Sequence, residues 1–281
     1  MCYNESMNRI RLIANAKLNL CLQVGALPEE GGLHPIDSLM HTIDWCDYIT
    51  LTKRKDEEST CNPIEGVEDN LALRAARHFS AVFETNGVDI DIRKHIPIGG
   101  GFGGGSADAA AVLKGMATLY GVDYGALAPL AASLGSDVPF FLTGGFAKVS
   151  GKGEVVQPLA PLPLLYAVVI VGKQGMSTAE AFRLWDERTS KPAVLRMNDI
   201  EQALRNEQTT KLMTINSMQN VCAGALPCIK DALAALADPK ALQVAMTGSG
   251  SGTYALYNSL SAAEEKQATL SDWESRICRL V

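Results

Sequence analysis

The sequence predicts an α+β protein of two domains. Three observations carry that prediction. Helical segments sit among hairpin-rich strand pairs, no regular β-α-β order is kept, and the texture changes near Pro161 and Pro163. The domains are read as 1–160 and 161–281. With 281 residues, 47% of them hydrophobic and 20% charged, the chain can bury a sizeable core and has an ordinary globular composition.

Arg9–Val24 alternates apolar and polar residues with one interruption and predicts a strand; Tyr48–Lys53 predicts another. Between them Pro28-Glu29-Glu30-Gly31-Gly32 is a turn, followed by His34 and a hydrophobic stretch. Glu68–Phe83 carries Leu71, Ala75 and Phe79 on one helical face. Val88, Ile90 and Ile92 alternate with Asp89, Asp91 and Arg93 in a half-buried strand. A helix follows from Ser106, whose hydroxyl suits an N-cap, to about Leu119. Tyr124–Leu134 is a second helix, closed by Gly135. Leu164–Val171 is a buried strand within the longest apolar run, which is too short to span a bilayer. Helices are expected over Thr178–Trp185, Asp199–Lys211 and Pro227–Leu236. Strands are expected over Leu242–Met246, Thr253–Tyr257 and Arg276–Val281.

A net charge of −6 argues against a nucleic-acid surface, which needs clustered Lys and Arg. It leaves nucleotides open, because backbone N–H groups hold phosphate without net positive charge. Lys53-Arg54-Lys55 runs directly into Asp56-Glu57-Glu58 and reads as a solvated strand end. The seven cysteines (Cys2, Cys21, Cys46, Cys61, Cys222, Cys228, Cys278) form no Cys-x-x-Cys pair and suit a reducing compartment. Asn8, Arg9, Arg11 and Asn15 interrupt any signal-peptide core. These features predict a cytoplasmic protein that binds neither nucleic acid nor membrane, and leave open whether it is a monomer or homodimer.

The densest signal is Pro97-Ile98-Gly99-Gly100-Gly101-Phe102-Gly103-Gly104-Gly105-Ser106-Ala107-Asp108. Glycines let backbone N–H groups press against a ligand, and a helix opening next adds unpaired N–H groups and a positive dipole end. Together they predict a phosphate cradle. Gly99, Gly101 and Gly104 also satisfy G-x-G-x-x-G, but Asp123, at the right distance for a ribose contact, sits between two helices rather than at a strand end. No Gly-Lys-Ser or Gly-Lys-Thr follows, and no His-Arg-Asp or Asp-Phe-Gly exists, so neither a Walker loop nor a protein kinase is present.

Three segments taken together resemble the motifs of the GHMP kinase superfamily: Ala14-Asn15-Ala16-Lys17-Leu18-Asn19-Leu20, the central glycine loop, and Thr247-Gly248-Ser249-Gly250-Ser251-Gly252. Gly135-Ser136-Asp137-Val138-Pro139-Phe140-Phe141 and Ser150-Gly151-Lys152-Gly153-Glu154-Val155 resemble two further family segments. The triple glycine with Ser106 and Asp108 is most similar to the branch that phosphorylates a cytidine diphosphate-linked polyol. The resemblance implies a ribosomal protein S5 domain 2-like N-terminal domain, a ferredoxin-like C-terminal domain, ATP and Mg²⁺. It implies ATP contacts from Pro97, Gly99, Gly101, Gly103, Gly104, Gly105 and Ser106.

Lys17 lies inside an alternating strand, where a lone lysine is costly unless paired; an edge-strand lysine facing water is the competing reading. Asp137, past a helix end and wedged before Pro139, suits a general base or a turn aspartate. As a pair they could take the substrate proton and stabilise the nucleophilic oxygen, and the resemblance assigns them those roles. Asn19 shares the Lys17 face and suits either the substrate polyol or a structural amide. His34 is implied to reach the cytosine, with a surface histidine as the plain alternative. Phe182 is a candidate stacking wall or a core residue, and Gly248 is implied to line the substrate side. The chain departs from the family at Leu33 (usually Tyr), Asn15 (Pro), Gly100 (Ala), Phe102 (Leu), Ala107 (Ser) and Asn216-Ser217-Met218-Gln219 (Asn-Asp-Phe-Glu). Another GHMP small-molecule kinase, homoserine or mevalonate type, stays open at this point, as does a silent nucleotide sensor. A sensor has no need of both Lys17 and Asp137.

Overall fold

The computed structural model describes residues 8–29, 31–172, 174–188, 196–210 and 215–281. Cys2, Glu30, Thr189 and Lys211 lie outside them. The chain forms two compact units, each assembled from separate stretches. The first takes the chain up to Ala16, Trp45–Ile96 and Gly103–Thr143; the second takes Lys17–Asp44, Pro97–Phe102 and Gly144–Val281. Position 160/161 falls inside the second unit. Strands β1 (Arg9–Val24) and β2 (Ile36–Lys53) each contribute to both. Among the described residues no helix is long and apolar enough to cross a membrane.

In the first unit Tyr48–Lys53 of β2 pairs antiparallel with β4 (Val88–Arg93), and β3 (Thr60–Cys61) runs parallel to β4 at the edge. Val88, Ile90 and Ile92 are buried and their neighbours exposed, as the alternation requires. Helix α1 (Leu71–Phe83) starts where Asn70 Oδ1 accepts the N–H groups of Ala72 and Leu73. Helix α2 (Gly104–Tyr120) lies against the strands through small residues. A Cβ on Gly115 would come within 2.6 Å of Leu12 and Leu51, so only glycine admits that approach. A single 3₁₀ turn, Tyr124–Ala126, precedes α3 (Leu127–Leu134), which Gly135 ends; α4 (Val138–Thr143) follows Asp137.

In the second unit Ile36–His41 of β2 pairs with β5 (Phe146–Gly151), which pairs with β6 (Val155–Pro158), both antiparallel. The Ser150–Val155 segment is their turn: Gly151 has φ +71°, and the Glu154 carboxylate accepts the Lys152 N–H at 2.5 Å. A separate antiparallel sheet has the order β10 (Ser275–Arg279), β7 (Tyr166–Ile170), β9 (Thr253–Tyr257), β8 (Gln243–Met246). Helices α5 (Thr178–Asp186), α6 (Met197–Arg205), α7 (Gln219–Ala225), α8 (Pro227–Leu236) and α9 (Leu260–Ala268) complete the unit. Val168, Ile170, Ala255 and Tyr257 form one core with Ala232 and Leu236 of α8 and Ala263 of α9.

Predominantly antiparallel sheets with helices between them bear out the α+β class. Three expectations are corrected. Strand β2 begins at Ile36 rather than Tyr48, because it is buried on both faces from Ser38 to Thr42 and so shows no alternation there. Helix α2 begins at Gly104 with Gly103 as N-cap, so Ser106 stands in its first turn and caps nothing. Gly103 wins that place by adopting φ +74°, where serine is strained. Helix α6 ends at Arg205. Elements β5, β6, α4, α7 and α9 gave no periodic signal of their own.

A buried charge network in the first unit went unforeseen. Lys94 Nζ pairs with Asp47 and, at 2.8 Å, with Asp108, while Asp47 Oδ1 accepts the N–H groups of His95 at 2.5 Å and Ile96 at 2.9 Å. Burial, with the Asp47 charge added, pushes the Asp108 carboxyl up to about 7 despite Lys94 beside it. The folded state therefore holds a proton that the unfolded chain releases near pH 4, so this group's contribution to stability falls as pH rises from about 4 to about 7. Urea denaturation of Asp108→Asn should lose that decline, with its stability rising relative to the parent across this window; parallel pH profiles would refute the assignment.

Candidate active site

The site builds outward from Lys17. It lies in the part of β1 where Ala16–Leu22 are all buried, and the residue is only 2% exposed. A lysine there is tolerable only with oxygen partners. Its Nζ donates to Asn19 Oδ1 at 2.5 Å, two residues along the same strand face, which overturns the reading of a water-facing edge lysine. Its backbone N–H donates to Phe102 O at 2.9 Å, tying β1 to the first half of the central glycine run.

Asn19 is fixed on every side. Its N–H donates to Thr247 Oγ1 at 3.1 Å, its carbonyl accepts the Tyr254 hydroxyl at 2.9 Å, and its Nδ2 donates to Ser38 Oγ at 2.8 Å. Gln243 Nε2 donates to Leu20 O and to Tyr254 OH, completing a buried layer behind the strand. The structural reading of Asn19 therefore holds at least in part, with Oδ1 committed to Lys17.

The loop between β8 and β9 closes over this pair. Gly248 has φ +56°, and a Cβ there would sit 3.0 Å from Lys17 Nζ and 3.1 Å from Gly101 O. Gly101 has φ +76°, and its Cβ would strike Thr247 O at 2.5 Å. Gly252 N–H donates to Gly100 O at 3.1 Å. The two glycine runs thus meet backbone to backbone. Asn216 holds the second run by donating from Nδ2 to Met246 O and Gly248 O at 3.0 and 2.8 Å, and Gln219 Oε1 accepts the Met246 N–H. Pro97 is half-buried, and Gly99, with φ +73°, passes Gly175.

Gly103, Gly104, Gly105, Ser106 and Asp137 belong to the first unit. No side chain caps α2, so its first-turn N–H groups keep their donor capacity, and a Cβ on Gly105 would meet open space. Gly104 faces Ile96 and Lys94. That uncapped, side-chain-free helix start fits a phosphate. Asp137 is half-buried in the turn before α4, next to the Val138 N–H bonded to Gly135 O. Among the described residues no group of three His, Cys, Asp or Glu could hold a metal ion.

His34 is buried, not a surface residue. Its Nδ1 bonds Gly25 O at 3.0 Å, its Nε2 faces Asp186 at 3.1 Å, and its ring stacks on Phe182 at 5.2 Å. Phe182 also borders a core around Trp185 and Met218, as its reading as a core residue expects. Leu33 is 58% exposed. Burial pushes the Cys21 thiol up to about 12 and that of Cys222 up to about 11, as expected of inert core thiols.

Sequence reasoning missed Ser38, Tyr254 and Gln243, polar groups whose partners lie on other elements and which leave no local signal. Thr247, Asn216 and Gln219 stood in quoted motifs, yet nothing local told their roles.

Residues 70–145 match the family model for the GHMP kinases N terminal domain, and residues 195–274 match that for the GHMP kinases C terminal. The chain is 36% identical to a 4-diphosphocytidyl-2-C-methyl-D-erythritol kinase of Polaromonas sp. (strain JS666), covering 94% of this chain and 89% of that one. It is 32% identical to the enzyme of that name from Alkaliphilus metalliredigens, over 94% of each. A crystal structure of 4-(cytidine 5'-diphospho)-2C-methyl-D-erythritol kinase superposes with a TM-score of 0.82 at 31% identity, covering 96% of this chain and 99% of that one.

Alanine at Gly248 combines a left-handed backbone with a contact on Lys17 Nζ. Gly248→Ala should cost about 1–3 kcal/mol in denaturant unfolding and lower turnover in the protein that still folds. Unchanged stability and turnover would show that the close approach is not maintained in solution.

Proposed function

This chain belongs to the GHMP kinase family, and we propose that it transfers the γ-phosphoryl group of ATP to the 2-hydroxyl of 4-diphosphocytidyl-2-C-methyl-D-erythritol, a step of non-mevalonate isoprenoid biosynthesis. The observation that carries the reading is the buried Lys17 ammonium at the meeting of two glycine runs. Identities of 31–38% to kinases of that name support the choice of acceptor.

Phosphoryl transfer asks for positioning and charge stabilisation more than covalent chemistry. In this reading the backbone from Pro97 through Gly99, Gly101 and Gly103–Gly105, with Ser106, holds the phosphates. Mg²⁺, when bound with ATP, would supply charge neutralisation for the phosphates that this backbone holds. Asp137 takes the proton from the acceptor hydroxyl. Lys17, oriented by Asn19, offsets the charge that develops on that oxygen. His34 and Phe182 serve the cytidine end, and Gly248 leaves room beside Lys17. A cytoplasmic location and a monomer or homodimer complete the proposal.

Two measurements test it. Purified protein with ATP and Mg²⁺ should phosphorylate the cytidyl-methylerythritol substrate in preference to homoserine or mevalonate. Preference for either of those would move the chain to another branch of the family. Asp137→Asn should lower kcat by about a hundred- to ten-thousand-fold while leaving ATP affinity intact. A variant that kept most of its rate would remove Asp137 as the base.

A further inference from the structure

We propose that Ser38 is a positioning residue that sets the direction of the Lys17 ammonium through the amide of Asn19. The inference rests on the catalytic reading of Lys17. Ser38 lies in β2, is 0% exposed, and stands one side chain away from the candidate chemistry.

A serine hydroxyl has a single proton. That of Ser38 goes to Cys21 O at 2.6 Å, and a carbonyl can only accept. Toward Asn19 the hydroxyl can therefore only accept, so the group facing it at 2.8 Å must be the amide NH₂. Because the amide is planar, its Oδ1 then faces the other way, onto Lys17 Nζ at 2.5 Å. The chain Cys21 C=O, Ser38 O–H, Asn19, Lys17 has one self-consistent polarity. Reversing the amide would set NH₂ against an ammonium and Oδ1 against a hydroxyl lone pair, in a site closed to water.

The rest of Asn19 is also pinned. Its N–H is held by Thr247 and its carbonyl by Tyr254, which fixes the backbone from which the amide projects. Only rotation about the side chain remains, and Ser38 at the nitrogen with Lys17 at the oxygen removes it. Neither partner on the backbone could do so, since both leave the amide's two ends equivalent in shape. Without the hydroxyl, nothing on that side distinguishes oxygen from nitrogen, and Lys17 loses a pre-oriented acceptor.

The test uses the full chain with ATP, Mg²⁺ and the cytidyl-methylerythritol substrate. Ser38→Thr and Ser38→Val have the same shape and differ only in the hydroxyl. The threonine should keep most of the parent kcat. The valine, and Ser38→Ala, should lose about tenfold, the rate equivalent of one charge-assisted hydrogen bond, with the KM for ATP unchanged. A merely structural serine would lower melting temperature and move KM without separating threonine from valine in kcat. Equal kcat for threonine and valine, or a full rate in Ser38→Ala, overturns the proposal. Ser38→Ala, which only deletes an oxygen, carries the comparison with threonine if the valine fails to fold. Lys17→Met tells the two readings apart. If it is inactive while Ser38→Val runs at full rate, only the Ser38 inference falls. If it keeps its rate, the catalytic reading of Lys17 falls and the inference with it.

Discussion

A buried ammonium must be surrounded by oriented oxygen, and in this chain Lys17 imposes that requirement on everything near it. Removing a charge from water without partners is expensive enough to unfold a domain of ordinary stability. The solution here is a layered one. Asn19 supplies the oxygen, Ser38 and Thr247 hold Asn19, and Tyr254 with Gln243 stands behind the strand. Each layer satisfies the polar groups of the one before it, so the cluster has few loose ends in a region of β1 that is otherwise apolar.

The same constraint explains why the surrounding loops are made of glycine. Side chains at Gly101 or Gly248 would collide with carbonyl oxygen or with the lysine itself, so the two runs can close on Lys17 only as bare backbone. Bare backbone is also rich in N–H donors, which is what an anion needs. A loop that is small for packing reasons thereby becomes chemically useful. Asn216 and Gln219 add the rigidity that glycine lacks by bonding the main chain on either side of Thr247.

Much of this was legible in the sequence, and the failures have physical causes. The alternation of β4 and the proline opening α8 survived, because one-sided burial and fixed φ leave local traces, and β9 survived as a short apolar run set off by the glycines before it. The glycine runs were visible because few other structures need so many glycines together. Ser38, Tyr254 and Gln243 were invisible because their work is done across the fold. The Tyr254 hydroxyl reaches a carbonyl 235 residues away in sequence, and no local pattern encodes that. At Ser106 local preference pointed the wrong way: a hydroxyl suits an N-cap, but the left-handed turn at Gly103 decided where the helix starts. His34, with a surface histidine as its plain reading, is buried, since Asp186 and Phe182 arrive from a distant helix.

The two compact units are drawn from alternating stretches of one chain, and that has a consequence for how the molecule is made. A ribosome that has released residues up to Thr143 has supplied every member of the first unit. Lys17–Asp44 and Pro97–Phe102 must then wait for partners that begin at Gly144. Lys17 is synthesised long before the backbone that covers it, which arrives with Thr247 and Gly248. Closing so long a span is slow, though each added residue costs little. A nascent chain stopped short of the β8–β9 turn therefore holds the whole of the first unit and no finished surroundings for Lys17, so that environment is among the last features the second unit can assemble.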